Sequence, residues 1–348
     1  MAHTEGRGPS RPCQRRGQVN PIVEGWRGLA ALLVMLAHFG PAAGLQNALV
    51  LTAFTGVDLF FVLSGFVFAP ILMGGQPQHW GAYAVRRAFR ILPAYWLAVM
   101  VYAVLLWLQT GSAGPWASHL AFLHLSSPQT AFALNPAFWS LVPEVEFYLM
   151  LPLLALWVRG SSVRFLWLLA GALALRLGIS QFADRESANL AFVAMHHLPG
   201  MLVEFLLGSL VWWLRTQQIL PERTTLLWVG LVAWLGLAIA FGQFGDAGFD
   251  AWLGPGQVSL LAALTAALML AGSQHLSLGS GAFNRAALLA GALSYAVYLF
   301  HNAALKLVSE IWAAVVLTFL VAIVVHVGLE APARRLGRAL AARITPAR

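Results

Sequence analysis

Ten long apolar stretches occupy most of this 348-residue chain. Each has close to the length that a helix needs to cross a bilayer, which is about 20 residues. Lipid offers no hydrogen-bond partner to an exposed backbone, so such stretches must fold as helices or close into a barrel. Only 10% of the residues are charged and the mean hydropathy is +0.74, whereas about 25% are charged in a soluble domain. The sequence therefore predicts an all-α, polytopic integral membrane bundle.

We expect about ten spans that together form one membrane domain over residues 21–333. Their predicted limits are 27–44, 53–73, 91–108, 138–158, 164–180, 199–214, 226–243, 258–275, 288–307 and 311–330. Residues 1–20 are polar, rich in arginine and lack the apolar segment of a signal peptide, which is typical of a disordered cytoplasmic tail. Residues 334–348 are predicted to form a basic cytoplasmic tail.

The positions of the cationic residues predict the orientation of the bundle. Cytoplasmic loops are enriched in lysine and arginine. With a cytoplasmic N-terminus, 17 of the 21 lysine and arginine residues fall on the inner side. Ten spans then place both termini inside, as in a multi-pass protein of the plasma (inner) membrane. The segment 109–137 has no lysine or arginine, so we expect it outside, with its 116–125 part at the interface or re-entering the membrane.

Composition also limits the classes of partner and cofactor. The arginines are spread over short loops and do not gather on one face with stacking aromatics, so the net charge of +8 does not indicate nucleic acid. The single cysteine, Cys13, excludes an internal disulfide, and no CxxC or HExxH spacing predicts a metal. We expect the lipid bilayer as a partner and no metal cofactor.

Four ionisable residues lie at a similar depth in four predicted spans. His38, Asp58, Glu144 and His301 each lie about five or six residues from the outer end of a span. Ionisable groups inside a bilayer are costly and are candidates for function. A carboxylate beside an imidazole orients the ring and raises its basicity, as a general base for an alcohol requires. We predict His38 as the base, oriented by Glu144 or Asp58; hydrogen-bonded packing remains the alternative for each residue.

A second constellation lies at the predicted cytoplasmic end. Arg86 and Arg90 are i and i+4, and Arg87 and Arg90 are i and i+3, so at least two guanidiniums can converge on a phosphate. Arg27 lies about 20° around the first helix from His38 and roughly 16 Å along it. That reach suits an acyl-coenzyme A with its nucleotide inside and its thioester near His38. The enrichment of lysine and arginine in cytoplasmic loops would by itself also explain an arginine cluster, without a phosphate site.

Seven short sequence blocks follow one another between residues 22 and 338. They are EGWRGLAA at 24–31 with His38, GVDLFFVLSGF at 56–66, RRAFRILP at 86–93, WSLVPEVEFY at 139–148, EFLLG at 204–208, LSYAVYLFH at 293–301, and LEAP at 329–332 leading into Arg334 and Arg335. As an ordered set, these blocks resemble the membrane acyltransferase type three family. The resemblance implies transfer of an acyl group, often acetyl, from coenzyme A on the cytoplasmic side to a hydroxyl of a sugar or other acceptor.

The resemblance also implies roles for individual residues. His38 matches the essential histidine of the family, and Glu144 matches its fourth-helix acid. The arginines that match, and that we expect to bind the coenzyme phosphates, are Arg27, Arg86, Arg87 and Arg90. The residues that we expect at the carbohydrate or glycolipid acceptor are Trp139, Ser140 and His301.

Other acidic residues fit structural roles better. Glu204 and Glu330 fall in the inner halves of their spans, and we expect them to pack or to partner arginines. Glu144 and Glu146 are two apart and should project differently from a helix.

Rival functions remain open at this point. A proton-coupled transporter or exporter would use buried ionisable groups as a proton relay. A non-catalytic scaffold leaves the polar layer unexplained. Within the acyltransferase hypothesis, His38 acts either as a general base or through a covalent acyl-histidine.

Overall fold

The computed structural model describes residues 20–74, 79–183, 188–220, 224–254 and 256–345, and these residues form helices and no strand. Residues 1–19 of the predicted N-terminal tail lie outside the described residues. In chain order the helices are α1 (Pro21–Ala42), α2 (Ala48–Thr52), α3 (Gly56–Met73), α4 (Trp80–Thr110), α5 (Trp116–Leu120), α6 (Pro128–Ala131), α7 (Leu141–Val158), α8 (Ser162–Ala183), α9 (Ala188–His196), α10 (Leu198–Thr216), α11 (Thr225–Leu253, with a break at Gly245), α12 (Gln257–Ser273), α13 (Ala282–Leu307), α14 (Ile311–Val325) and α15 (Ala331–Ile344).

The all-α polytopic membrane fold is confirmed. Within the described ranges, nine helical segments are long and apolar enough to cross a membrane. α12 is also apolar but has 17 residues, which reach about 26 Å at 1.5 Å per residue. Every predicted span corresponds to one of these helices, whereas the cytoplasmic position of the termini stays a prediction.

α1 and α4 begin earlier than predicted because capping groups precede their apolar residues. The Asn20 side chain accepts a hydrogen bond from the Ile22 amide at 2.9 Å, and Pro21 opens α1. His79 accepts from the Ala82 amide at 3.3 Å and caps α4. Arginine is a good helix former, so the arginine block continues α4 toward its N-terminus and does not form a loop.

The predicted basic C-terminal tail is helical up to Ile344. α14 continues through a π-helical turn, His326–Glu330, into α15. α15 lies so close to α4 that a Cβ on Gly337 would be 2.5 Å from the Phe89 side chain. Arg334 lies 3.6 Å from the Glu330 carboxylate, which confirms the expectation that Glu330 partners an arginine.

α3 and α10 cross in close contact, and glycines make that crossing possible. A Cβ on Gly65 would overlap the Phe205 carbonyl oxygen, and a Cβ on Gly208 would overlap the Val62 carbonyl oxygen. Small residues allow backbones to approach in this way in membrane bundles. The crossing brings the polar side chains of both helices into the same buried layer.

The segment between α4 and α7 re-enters the bundle, which is one of the two predicted alternatives. The Tyr95 hydroxyl donates to the His119 carbonyl at 2.8 Å. Tyr95 precedes Thr110, the end of α4, by 15 residues, or about 22 Å of helix. After the end of α4 the chain therefore runs back along that helix by about this distance. Further on, the buried Asn135 side chain donates to the Leu299 carbonyl at 3.3 Å.

Candidate active site

A cavity lies between α1, α3, α4, α7 and α13. Its empty space, counted together with the solvent at its open mouth, is about 740 Å³. Its charged and polar lining residues are Arg27, Arg87, Arg90, Glu144, Ser64, Ser140, Ser294, Tyr148, Tyr295 and Tyr298. Three guanidiniums thus face one carboxylate, so the cavity suits an anion.

Three of the four predicted phosphate-binding arginines meet at this cavity. Arg27 comes from α1, and Arg87 and Arg90 come from α4. The Arg87 guanidinium lies 4.9 Å from the centre of the Phe68 ring, a cation–π contact that orients the side chain. Arg86 does not line the cavity in the described residues, because adjacent residues project about 100° apart on a helix.

Glu144 and Glu146 face different parts of the molecule, as predicted. Glu144 lies in the first turn of α7 and accepts hydrogen bonds from the Tyr148 hydroxyl and, at 3.3 Å, from the Ser64 hydroxyl. The Glu146 carboxylate instead lies 2.5 Å from Nδ1 of His197 at the start of α10. Glu144 therefore belongs to the arginine cavity, and Glu146 ties α7 to α10.

His38 pairs with His301. Its Nδ1 lies 2.9 Å from the Val34 carbonyl and 3.2 Å from Nε2 of His301. Nδ1 of His301 lies 3.1 Å from the Val297 carbonyl. Carbonyl oxygens only accept hydrogen bonds, so the network assigns a proton to Nδ1 of each ring. In this tautomer the single N–H of His38 is shared between the Val34 carbonyl and Nε2 of His301, and Nε2 of His38 carries no proton.

The carboxylates predicted to orient His38 lie elsewhere. Neither Glu144 nor Asp58 is a hydrogen-bond partner of His38 among the described contacts. Arg176 donates from Nη1 to Glu204 at 2.9 Å, and the buried Asp58 has Glu204 as its neighbouring carboxylate. The predicted layer of four ionisable groups therefore divides into the histidine pair, Glu144 in the cavity, and the cluster around Asp58. The expectation that Glu204 partners an arginine is confirmed.

Tyr298 lies between the cavity and the histidine pair. It lines the cavity, and its ring centre lies 6.2 Å from that of His301. Its hydroxyl donates to the Ala137 carbonyl at 2.5 Å and is also hydrogen-bonded to the Ser140 hydroxyl. The edge of the Phe60 ring packs against it, with 5.6 Å between ring centres. These contacts hold the aromatic ring in place between the two polar groups.

The two predicted acceptor residues on the turn Pro136–Ser140 face different sides. Ser140 lines the cavity. Trp139 packs edge-on against Phe61, at 6.2 Å between ring centres, and against His196, at 4.9 Å. The turn therefore contributes one residue to the cavity and one to the contact with α9.

The cavity is the place where an anionic cofactor could be held. Across the part of the chain that the structure describes, no group of three or more histidine, cysteine, aspartate or glutamate residues could hold a metal ion. The Arg27, Arg87 and Arg90 side chains offer several N–H donors each, in the planar arrangement that matches phosphate oxygens.

Sequence reasoning missed the tyrosines of the site. Tyr148 follows Glu144 by four residues and Tyr298 precedes His301 by three, so each pair shares a helix face. That spacing was the available signal. For Arg176, the sequence shows only a cation inside a span, and its partner lies 28 residues away in another helix.

Comparisons with known proteins point to one family. A family model described as an acyltransferase domain matches residues 20–330. A Komagataeibacter xylinus protein with the provisional name membrane-bound transacylase BcsY is 28% identical over 217 residues, which are 55% of this chain and 50% of that protein. The chain thus spans about half the length of the curated relative that it matches. No solved structure matches the chain.

Proposed function

This chain belongs to the acyltransferase 3 family, and we propose that it transfers an acyl group, preferably acetyl, from acyl-coenzyme A to a hydroxyl of a carbohydrate or glycolipid. The family and the apolar helices make it a multi-pass membrane acyltransferase. Because the cationic residues concentrate on one side of the spans, we place it in the plasma (inner) membrane with both termini cytoplasmic. The donor then enters from the cytoplasm.

One observation carries the choice of donor: Arg27, Arg87 and Arg90 converge on a cavity that has a single carboxylate. Hydrogen bonds between charged groups, such as guanidinium and phosphate, are about twice as strong as neutral ones. Three such groups could hold the phosphates of coenzyme A. Arg27 also lies on the same helix as His38, roughly 16 Å away along the axis, a separation comparable to the reach of the extended arm that carries the thioester.

In the proposed chemistry, Nε2 of His38 acts on the acceptor hydroxyl. It takes the hydroxyl proton while the hydroxyl oxygen attacks the carbonyl carbon of the thioester. The bond between carbon and sulfur then breaks, and the proton passes from His38 to the departing sulfur. The products are the acyl ester and the free thiol of coenzyme A. His301 accepts from Nδ1 of His38 and so positions the ring with Nε2 unprotonated.

We further propose that the acceptor and the thioester meet on the His38 side of Tyr298. Ser140 is hydrogen-bonded to the Tyr298 hydroxyl and so helps to fix the ring that lies between the cavity and the histidine pair. Trp139, on the same turn, offers an aromatic face for a sugar ring. Glu144 acts in the cavity beside the donor, where Tyr148 and Ser64 orient its carboxylate.

A labelled-donor experiment tests this function. Membranes that contain the protein are incubated with acyl-coenzyme A labelled in the acyl group and with a glycan and glycolipid extract of the host cells. We expect release of coenzyme A thiol together with labelled glycan, both absent in His38→Ala membranes. Equal thiol release from both membranes would contradict the proposal. Uptake of a glycan into sealed vesicles on a proton gradient, without thiol release, would favour the transporter.

A further inference from the structure

A second polar centre lies in the bundle, apart from the arginine cavity. It joins α3, α8 and α10 through Asp58, Arg176 and Glu204, which are 1%, 0% and 0% exposed. None of the three lines the cavity. Asp58 and Glu204 are neighbours on α3 and α10, the two helices that cross in close contact.

The hydrogen bonds of this centre identify the ionised carboxylate. Arg176 donates from Nη1 to Oε1 of Glu204 at 2.9 Å and to the Gly200 carbonyl at 2.7 Å. Its Nη2 donates to the Gly256 carbonyl. The guanidinium is therefore paired with Glu204, and a guanidinium in a protein keeps its charge. Glu204 is the carboxylate that balances it.

Asp58 then has no cation of its own. The groups that act on its side chain are Glu204, Arg176 and the Ser259 hydroxyl of α12. Two carboxylates against one guanidinium would leave one uncompensated negative charge in a fully buried site. Such a charge is strongly unfavourable inside a membrane protein.

Two buried carboxylate oxygens of this centre lack a hydrogen-bond donor among the described residues. Oδ2 of Asp58 and Oε2 of Glu204 are both buried, and neither has a hydrogen-bond partner in the described structure. Ionised carboxylates only accept hydrogen bonds, so two of them cannot satisfy each other. One proton would make one oxygen a donor, satisfy both oxygens and remove the excess charge.

We propose that Asp58 and Glu204 form a proton-binding site that holds one proton at neutral pH, with the proton on Asp58. A water molecule could donate to both oxygens but would leave the excess charge. A sodium ion would balance the charge and is the competing ligand. The site is independent of acyl transfer, because it shares no residue with the cavity or the histidine pair.

Infrared spectroscopy of the purified full chain in lipid nanodiscs tests the proton directly. In the wild type at pH 7 we expect the carbonyl stretch of a buried, protonated carboxylic acid. In deuterium oxide this band should shift slowly, because a buried proton exchanges slowly for deuterium. Asp58→Asn should abolish that band, whereas Glu146→Gln, which changes a partly exposed carboxylate elsewhere, should leave it. A wild-type spectrum without the band, or a band retained in Asp58→Asn, would overturn the proposal.

Thermal unfolding provides a second test of the assigned proton. Asp58→Asn mimics the protonated side chain, so its melting temperature should stay within a few degrees of wild type. Glu204→Gln leaves Arg176 uncompensated and should lower the melting temperature by on the order of 10 °C. Equal losses in both variants would contradict the assigned proton. Sodium chloride that stabilises wild type over choline chloride, but not Asp58→Asn, would identify a sodium site instead.

Discussion

The arginine end and the histidine end of the proposed donor route differ in charge and in surroundings. At the arginine end, three guanidiniums and Glu144 line an open cavity. At the histidine end, two imidazoles contact each other and backbone carbonyls, and no described carboxylate contacts His38. Tyr298 stands between the two ends. The charges are therefore concentrated where we propose that a phosphate binds, and the proposed base has neutral partners.

This difference separates binding from chemistry. Charged hydrogen bonds to the donor phosphates are made equally in the ground state and the transition state, so they should lower KM. A base nitrogen acts only as the proton moves, so it should set turnover. Substitutions at the two ends should therefore change different kinetic constants. Equal changes in KM and kcat at both ends would contradict the separation of donor binding from proton transfer.

The largest effect is expected for His38→Ala. Loss of a general base typically costs about 10² to 10⁴ in rate, so turnover should fall by that factor while KM for acyl-coenzyme A stays near the wild-type value. Steady-state kinetics with a thiol reagent measures both constants. A variant with wild-type turnover would remove His38 from the mechanism.

A smaller loss is expected for His301→Phe, which keeps a ring but removes the acceptor for Nδ1 of His38. The Val34 carbonyl still accepts from that nitrogen, so only one hydrogen bond is lost, worth about 1 kcal/mol or roughly a fivefold lower kcat. His301→Gln keeps an acceptor and should recover part of the rate. If both variants lost turnover as severely as His38→Ala, His301 would itself take part in the chemistry.

Donor affinity is the constant expected to change in Arg90→Ala and Arg87→Ala. Each removes one charged contact worth about 1.5–3 kcal/mol, so KM for acyl-coenzyme A should rise about tenfold or more with little change in kcat. Adenosine diphosphate as a competitor should lose affinity in parallel. Lower kcat at saturating donor with an unchanged KM would assign these arginines another role.

The smallest effect is expected for Arg86→Ala, which serves as the matched control for its neighbour. Arg86 is outside the cavity lining, and substitutions away from a site usually change free energies by no more than about 0.5 kcal/mol. KM and kcat should both stay within about twofold of wild type. A rise in KM equal to that of Arg87→Ala would show that the donor contacts a wider surface than the cavity.

The sequence predicts some features of this molecule better than others. Apolar length predicts every span, because the bilayer imposes it, and the family blocks contain each arginine of the cavity. Depth in a span predicts which residues are buried but not which are neighbours. Asp58 and His38 lie at similar depth yet face different helices, because the Gly65 and Gly208 crossing directs Asp58 toward Glu204.

The Arg86 and Arg87 positions show a related limit. Spacing of i and i+4 correctly places Arg86 and Arg90 on neighbouring faces of one helix, but only the packing of α4 against its neighbours decides which face meets the cavity. In the same way, the sequence does not identify the residue that contacts His38. His301 lies in a recurring block, but the sequence does not indicate that its ring contacts another imidazole.

Parallel measurement of coenzyme A binding and of single-turnover acyl transfer in His38→Ala and Arg90→Ala tests the separation of the two ends most directly. Calorimetry on purified protein gives the dissociation constant, and rapid quenching gives the transfer rate with bound donor. We predict that His38→Ala binds coenzyme A like wild type and transfers at least about 100-fold more slowly, whereas Arg90→Ala binds weakly and transfers normally once saturated. Loss of binding in His38→Ala together with normal binding in Arg90→Ala would contradict this assignment.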